Sequence, residues 1–242
     1  MSSSAASEVV SCVVADGVAT ITLDSQANRN ALSAQLLAEL HVALDRAAKP
    51  DVRVIVLTHA GPAFCSGIDL KERRSANFDS APMARAFDRL MHCDQITIAA
   101  VHGAVRAGGV GLMASCDLVV VSSATSFAFT EVRIGVAPAM IAVPIMRRVH
   151  AGHLVTPFLT GDTFTAVEAR AMGLVTHVAD DVDAAVATLC DGVLRGGPIA
   201  IAATKAMLHR GLNESFDDAL AEMSVLSDRS EEHTSELQSR GL

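Results

Sequence analysis

The stretch ITIAAVHGAVRAGGVGLMASCD, residues 96–117, is the part of the chain around which the rest is organised. Its first six residues are almost all apolar and predict a buried strand over 96–101. Glycine-containing turns follow, and the apolar run behind them predicts a buried helix that ends near Asp117. A second apolar strand is predicted directly afterwards, over 118–121. The stretch therefore indicates an α/β protein, in which strands and helices alternate.

A strand that enters a glycine-rich turn and then a helix exposes the first amide groups of that helix. These N–H groups have no partner within the helix, and glycine lets a ligand come close to the backbone. The turn at Gly108 is therefore a place to hold an anion, or an oxygen that becomes one. Two other interpretations stay open. The pattern Gly109-x-Gly111-x-x-Ala114 matches the dinucleotide-binding fingerprint, and such glycines also serve close packing of a helix on a strand.

Length and composition restrict the class of protein. The 242 residues suit one large or two small domains, and 50% of them are hydrophobic, enough for a sizeable core. The net charge of -8 argues against nucleic-acid or membrane-surface binding. The five cysteines have no CxxC spacing and predict neither a zinc site nor disulfides, so no metal is expected. No leader-like or membrane-spanning run is present, and we expect a cytoplasmic protein.

The first half of the chain alternates predicted strands and helices. Asp16-Gly17 lies between two β-rich runs and predicts a hairpin, and Ser33 is a candidate cap for the helix that follows it. A nearly unbroken apolar strand over 52–57 enters a second glycine-rich turn, 58–70. The unit of strand, glycine turn and helix therefore occurs twice.

The second half is predicted to be mainly helical, with a capping box at Thr165-x-x-Glu168. Three segments are predicted: a core at 8–190, a C-terminal helical region at 191–228 and a tail at 229–242. The tail begins RSEEHTSELQS, which lacks apolar periodicity and reads as a translated sequencing adapter. We therefore expect the tail to be non-native and a natural C-terminal segment to be missing.

Six segments along the chain carry a resemblance to one known family. They are NRNAL at 28–32, VIVLTHAGPAFCSGIDLK at 54–71, AVHGAVRAGGVGLMASCD at 100–117, TEVRIGVAP at 130–138, GDTFTA with GLV between 161 and 175, and PIAIAATK at 198–205. In this order they resemble the enoyl-CoA hydratase/isomerase (crotonase) family. The resemblance implies a crotonase-like spiral of ββα units followed by a helical C-terminal oligomerisation region. It also implies a homotrimer or a dimer of trimers, and a coenzyme A thioester as the substrate.

The resemblance assigns catalytic roles to three positions. Ile68 and Gly108 match the residues whose backbone N–H groups stabilise the thioester oxygen as it becomes an enolate, each donor being worth ~3–4 kcal/mol in other oxyanion holes. Glu131 matches a catalytic glutamate and is expected to act as general acid and base. Without the resemblance, a surface glutamate paired with Arg133 would be the simpler interpretation of Glu131.

One position departs from the family pattern. Hydratases with two catalytic carboxylates carry a second glutamate where this chain has Gly111. One glutamate is in principle able to hydrate a 2-enoyl thioester through a single water, and it suffices to move a proton between C2 and C4. We expect a hydratase. A delta3-delta2 enoyl-CoA isomerase and a non-catalytic acyl-CoA-binding protein remain the alternatives.

Arg106 is also unusual, because the family generally has an apolar residue there. Beside the oxyanion hole its guanidinium could bind a substrate carboxylate or a CoA phosphate, with Gly109 and Gly111 as further substrate-pocket residues. Alternatively, it pairs with Asp94 or Asp117, or extends into solvent.

We expect no permanently bound cofactor, because coenzyme A arrives as part of the substrate. The residues that the resemblance assigns to coenzyme binding are Arg29, Ser66, Ile68, Asp69, Leu70 and Lys71. Among them Lys71 is expected to face the phosphates as a point charge. The loop over 71–80 is expected to form a mobile lid.

Two other enzyme classes remain to be weighed. A nicotinamide oxidoreductase would use the dinucleotide fingerprint. A serine peptidase needs a serine activated by a histidine, but neither Ser66 nor Ser115 lies in a G-x-S-x-G elbow. His59 and His102 flank the glycine turns, where we expect turn-lining or core histidines.

Overall fold

A computed structural model describes residues 7–74, 79–210 and 215–239, and for 210 and 228–239 it describes the backbone alone. The predicted lid and the predicted tail therefore lie partly outside the described residues. The strands are β1 (Val10–Ala15), β2 (Val18–Leu23), β3 (Val54–His59), β4 (Ala63–Cys65), β5 (Ile96–Val101), β6 (Ala104–Arg106), β7 (Leu118–Ser122), β8 (Ser126–Ala128), β9 (Phe164–Thr165) and β10 (His177–Ala179). The helices are α1 (Ala34–Ala47), α2 (Leu70–Arg73), α3 (Ala81–His92), α4 (Gly108–Ala114), α5 (Ala139–Met146), α6 (Ala151–Thr160), α7 (Ala166–Ala171), α8 (Val182–Leu194), α9 (Pro198–Arg210) and α10 (Phe216–Ser239), with 3-10 helices at Gln26–Asn28 and Thr130–Ile134.

The larger sheet has six strands in the order β1-β2-β3-β5-β7-β10, counted within the described residues. β1 and β2 are antiparallel and meet at Asp16 and Gly17, whose φ angles of 49° and 78° suit the predicted hairpin. The remaining neighbours, from β2 to β10, are parallel. β3 and β5 are almost entirely buried, which explains their nearly continuous apolar sequences.

The second sheet is built from strands of two or three residues, in the order β4-β6-β8-β9. Each of β3, β5 and β7 leads into one of these short strands, and a helical segment follows, so the same unit occurs three times. This repetition is the spiral of ββα units that the resemblance implied. The sequence pattern predicted only glycine turns at these places, because a three-residue strand is too short to show a periodicity.

The helix α4 lies inside the molecule, with all of its residues buried. Its close approach to β4 requires glycine, since a Cβ placed on Gly109 would lie 2.6 Å from the Cβ of Cys65. Burial raises the pKa of the Cys65 and Cys116 thiols to about 12, as expected for cysteines of the core.

Two predicted helix caps are present. The hydroxyl of Ser33 accepts a hydrogen bond of 3.2 Å from the amide of Leu36 at the start of α1. Thr165 and Glu168 form the reciprocal capping box at the start of α7. The loop expected over 71–80 begins instead with the short helix α2, which Asp69 caps by accepting from the amide of Lys71 over 2.9 Å.

The helix α8 covers the other face of the larger sheet, in a second apolar cluster. Arg53 fixes its carboxyl-terminal end, because the guanidinium donates to the carbonyl oxygens of Val193, Leu194 and Gly196 at 3.2, 3.0 and 2.5 Å. The predicted domain boundary after residue 190 falls inside α8, so the two predicted segments are continuous there.

The carboxyl-terminal helices have two further properties. α10 extends to Ser239, so the backbone of the predicted tail is helical as far as it is described. No individual helix in the described ranges combines the length and the apolar composition of a membrane span, although α8 and α9 together have both and form a pair bent by 112°.

Candidate active site

Three chain segments leave the second sheet at the same edge. Ile68 follows the end of β4, Gly108 follows the end of β6 and Glu131 follows the end of β8, each within three residues. Because β4, β6 and β8 are parallel, their carboxyl-terminal ends lie at one edge of the sheet. The fold therefore carries all three predicted catalytic residues to that edge, although they are far apart in the sequence.

The two glycine turns are in direct contact. A Cβ placed on Gly67 would lie 2.8 Å from the Cβ of Ala107 and 3.5 Å from the amide nitrogen of Gly108. A Cβ placed on Gly108 would lie 3.5 Å from the amide nitrogen of Ile68. Gly67 also has a φ of 99°, which side chains rarely adopt. The amides of Ile68 and Gly108 therefore lie close together, and this approach depends on glycine at position 67.

Neither of these two amides is used within the described part of the chain. Ile68 forms an isolated parallel bridge with Leu32, in which Leu32 donates to the Gly67 carbonyl and accepts from the Asp69 amide. The N–H of Ile68 consequently points the other way. Gly108 opens α4 and has no preceding turn of helix to donate to. No hydrogen bond within the described residues takes its proton from either amide.

Glu131 lies on the 3-10 helix that follows β8, and Gly135 ends that helix in the left-handed conformation. Its Oε2 atom is buried and has no hydrogen-bond partner among the described residues. Burial raises the pKa of the Glu131 carboxyl, and a hydrogen bond from its own backbone amide and the positive charge of Arg73 on α2 only partly offset that effect. A buried carboxylate oxygen without a partner is uncommon in a protein interior and indicates a functional position.

The simpler interpretation of Glu131, a salt bridge with Arg133, is not what the structure contains. Arg133 instead pairs with Asp162 and donates to the carbonyl of Thr160 over 3.2 Å. Arg133 therefore leaves the Oε2 atom of Glu131 without a partner among the described residues.

The side chain of Arg106 extends back along β8, away from the edge that holds Glu131. Its guanidinium donates to the carbonyl and the hydroxyl of Ser126 at 2.5 and 2.9 Å, and to the carbonyl of Val105 at 2.9 Å. The pairing with Asp94 or Asp117 that the sequence left open is not what the structure contains. In this arrangement Arg106 joins β6, which carries Gly108, to β8, which carries Glu131.

Gly111 and Gly109, the other predicted pocket residues, are packed into the interior. A Cβ placed on Gly111 would lie 2.8 Å from Ile141 Cγ2 and 2.9 Å from Phe87 Cζ. The position where some family members carry a second glutamate is thus enclosed by two apolar side chains. Gly109 packs on β4, which corresponds to the close-packing interpretation of the glycine motif.

The predicted coenzyme-binding residues form one connected surface. The amide of Ser66 donates to the carbonyl of Arg29 over 3.1 Å, and the Ser66 hydroxyl donates to the carbonyl of Asn28 over 3.0 Å. The side chain of Asn28 in turn donates to Asp69 over 3.3 Å. Arg29, Leu70 and Lys71 are exposed beside this surface. The carboxylate of Asp69 also caps α2.

Three residues near the site were not found from the sequence. Phe87 and Ile141 enclose Gly111, and Ser126 holds Arg106, but each partner is at least twenty residues away along the chain. Their residue types are ordinary for buried or turn positions, so no motif distinguished them.

Comparisons with known proteins identify the family of the chain. The profile of the enoyl-CoA hydratase/isomerase family matches residues 14–240. The chain is 33% identical over 195 residues to the enoyl-CoA hydratase EchA19 of Mycobacterium tuberculosis, covering 76% of this chain and 73% of that protein. It is 29% identical to the peroxisomal Delta(3,5)-Delta(2,4)-dienoyl-CoA isomerase of Arabidopsis thaliana, covering 83% of this chain and 80% of that protein.

A solved structure is similar as well. The crystal structure of an enoyl-CoA hydratase from Mycobacterium avium matches with a TM-score of 0.77 and 40% sequence identity, covering 83% of this chain and 81% of that one. The family profile spans the spiral, including the edge that holds the two unused amides and Glu131. The chain belongs to the enoyl-CoA hydratase/isomerase family.

Proposed function

We propose that the protein is an enoyl-CoA hydratase, which adds water across the 2,3 double bond of an acyl-CoA thioester. The observation that carries this proposal is the buried Oε2 atom of Glu131, which has no partner among the described residues, at the sheet edge where two unused amides lie together. A carboxylate oxygen and two amide donors that have no partner among the described residues are the groups that an enolate mechanism needs.

The proposed reaction has two steps. In the first, the Glu131 carboxylate removes a proton from a water molecule, and the hydroxide oxygen bonds to C3 of the substrate. The electron pair of the double bond moves onto the thioester oxygen, which accepts hydrogen bonds from the amides of Ile68 and Gly108. In the second step, the protonated Glu131 returns its proton to C2, and the thioester carbonyl re-forms.

The electrostatics of the site support both roles of Glu131. A general acid and base works best when its pKa lies near the working pH, and burial moves the pKa of Glu131 upward from 4.5 in that direction. The amides contribute without any change in protonation, and each of them is expected to lower the barrier by about 3–4 kcal/mol.

The surroundings of Gly111 favour a second candidate, a delta3-delta2 enoyl-CoA isomerase. Phe87 and Ile141 offer no group that could position a water molecule near that position. An isomerase requires only that Glu131 remove a proton from C2 and return it to C4, with the same enolate held by the same amides.

Turnover of two substrates distinguishes these candidates. We expect hydration of crotonyl-CoA by the wild-type protein and its loss in Glu131→Gln. Isomerisation of a 3-enoyl-CoA without hydration would assign the protein to the isomerases. The matched control is Glu8→Gln, which removes an exposed carboxylate far from the site in the sequence and should retain activity. Binding of both thioesters without turnover would identify a non-catalytic acyl-CoA-binding protein.

We also propose a homotrimer or a dimer of trimers in the cytoplasm. Large apolar side chains on α5 and α6 are exposed in the single chain, among them Val143 at 61% and Leu159 at 73%. Surfaces of this kind are commonly covered in an assembly. Light scattering coupled to size-exclusion chromatography should give three or six times the mass of one chain, and a monomer would contradict the proposal.

A further inference from the structure

His59 is a buried titratable residue that the proposed reaction does not use. It ends β3 and is 8% exposed. Its Nε2 atom accepts a hydrogen bond of 3.0 Å from the backbone amide of His102, which directly follows β5. Its Nδ1 atom is buried and has no partner among the described residues. Because Nε2 accepts, the proton of the neutral ring is on Nδ1.

This hydrogen bond lies at the junction of the two sheets. The backbone pairing of β3 with β5 ends at Leu57 and Ala99, and the pairing of the short strands β4 and β6 begins at Ala63 and Ala104. Between these points the chains are in contact at Gly103, where a Cβ would collide with the Pro62 carbonyl oxygen. The Thr58 hydroxyl donates to the Ala100 carbonyl over 3.2 Å, and beyond it the imidazole of His59 accepts from His102, so that side chains extend the contact between the two segments.

The two chain segments that His59 joins are the two that carry the donor amides. One continues through β4 to Ile68, and the other continues through β6 to Gly108. A shift of one segment relative to the other would change the distance between the two amides. Displacements of about 1 Å at such a site are enough to lower a rate by about a hundredfold.

We propose that His59 is a positioning residue for the oxyanion hole, and that its neutral imidazole aligns the turns of Ile68 and Gly108 by accepting from the His102 amide. This proposal rests on the proposed function of those amides. A protonated imidazole has no acceptor and could not make this bond.

The surroundings of His59 keep the ring neutral. Burial lowers the pKa of His59, although the nearby backbone carbonyls oppose that effect. The titratable group that faces it is the ring of His102, at 5.8 Å between centroids, and His102 in turn contacts Asp183 of α8 over 3.2 Å. The Phe64 ring, nearly perpendicular to the imidazole at 5.7 Å between centroids, covers another side.

Two substitutions separate positioning from simple packing. In His59→Gln, the side-chain oxygen can reach the place of Nε2 and accept from the His102 amide. In His59→Leu, a side chain of similar bulk has no acceptor. We expect His59→Leu to lower kcat by about 10- to 100-fold with KM within about twofold, and His59→Gln to stay within about threefold of wild type. The control is the exposed His177→Gln, which should leave both constants unchanged.

A spectroscopic measurement tests the same point without turnover. The infrared frequency of the ¹³C-labelled thioester carbonyl of bound butanoyl-CoA reports how strongly the two amides hold the oxygen. We expect a lowered frequency in wild type and in His59→Gln, and a smaller lowering in His59→Leu.

The outcomes separate this proposal from the proposed function. If wild type lowers the frequency but does not turn over either enoyl substrate, the proposed reaction fails while the positioning role is still decided by the three frequencies. Equal kcat values and equal frequencies in the Leu and Gln variants would overturn the positioning role alone. No lowering in wild type would overturn it too, because there would then be no working oxyanion hole to align.

Discussion

The backbone groups at the two ends of α4 differ in their hydrogen bonding. At the carboxyl-terminal end, the Arg148 guanidinium donates to three backbone carbonyl oxygens within 114–117. At the amino-terminal end, the amide of Gly108 has no partner among the described residues. The same seven-residue helix thus has one end saturated with hydrogen bonds and one end left open, and the open end is the one beside Ile68.

Asp117 and Glu131, the carboxylates near these two ends, also differ in how many hydrogen bonds they accept. Asp117 accepts from the amide and hydroxyl of Thr97 at 2.8 and 2.9 Å, lies 2.9 Å from the Lys205 ammonium and lies 2.6 Å from Nε2 of His209. Glu131 has a buried oxygen with no partner among the described residues. A saturated buried group contributes to stability, whereas an unsaturated one lowers stability until a ligand satisfies it. We infer that the fully hydrogen-bonded groups stabilise the fold and that the unpartnered ones serve the reaction. Four measurements test this distinction.

The largest effect is expected at the open end. Glu131→Gln should lower kcat by about 10²- to 10⁴-fold, the range typical of a general acid and base, without lowering the free energy of unfolding at pH 7. A carboxyl with a raised pKa binds its proton more tightly in the folded state. Its favourable contribution is present below the unfolded value near 4.5 and is lost as pH rises through the folded pKa.

Urea unfolding of wild type and Glu131→Gln at several pH values measures this. The variant should become progressively more stable than wild type as pH rises above 4.5. A variant that is less stable than wild type at pH 7 would place Glu131 among the structural groups and would contradict the comparison.

The next effect is expected at the saturated end. Asp117→Ala leaves the Lys205 side chain, only 4% exposed, without its counterion, and should lower the free energy of unfolding by about 3–5 kcal/mol. The measurement is urea unfolding at pH 7. The matched control is Asp45→Ala, which removes the partner of Arg89 from a pair whose aspartate is 71% exposed and should change stability by less than about 1 kcal/mol. Equal losses in the free energy of unfolding of the two variants would show that Asp117 stabilises the fold no more than a surface ion pair does.

A smaller loss of stability is expected when Arg106 is replaced. Arg106→Leu removes the hydrogen bonds to Ser126 and should lower the free energy of unfolding by about 1.5–3 kcal/mol, typical of bonds from a charged donor. Because the guanidinium points away from the site edge, any loss of kcat should be equal for a plain and a dicarboxylic acyl-CoA. Steady-state kinetics with both substrates measure this, and Ser126→Ala should reproduce the direction. A loss confined to the dicarboxylic substrate would instead show that Arg106 binds its carboxylate.

The smallest effect is the acid dependence of the saturated end. Burial alone would raise the pKa of Asp117, but the bonds from His209, Lys205 and Thr97 together hold it below its usual value. Its stabilising contribution should be complete above the unfolded value of 3.8 and lost as pH falls through the folded pKa. Each tenfold difference in proton affinity between the folded and unfolded chains corresponds to about 1.4 kcal/mol. The stability difference between wild type and Asp117→Ala should accordingly narrow below pH 3.8, and a difference that widens there would contradict the assignment.

Local features of this fold were predictable from the sequence. The hairpin at Asp16-Gly17, the Ser33 cap and the strand over 96–101 depend on residues next to one another, and all three are confirmed. The family resemblance and its spiral are confirmed as well. The roles of Ile68, Gly108 and Glu131 remain predictions, although the structure places them at one edge.

What the sequence could not supply were contacts between distant segments. Arg106 has its partner in Ser126, twenty residues away, and Gly111 faces Phe87 and Ile141 from two other helices. Nothing in the local pattern distinguishes a bound guanidinium from a free one. The short strands of the second sheet were missed for a different reason, since two or three residues do not establish a period.

The clamp that Arg53 places on the end of α8 has a consequence for biosynthesis. Its carbonyl partners lie up to 143 residues later in the chain, so they do not exist when β3 leaves the ribosome. At translation rates of about 5–20 residues per second, roughly 7–30 s pass before the guanidinium can be satisfied. Once β7 has also been made, the edge that β10 will later occupy stays open until residues 177–179 follow. The larger sheet of the nascent chain is therefore incomplete for several seconds, and exposed strand edges of this kind are what chaperones protect. The sheet is completed only by contacts between residues far apart in the sequence, which form slowly.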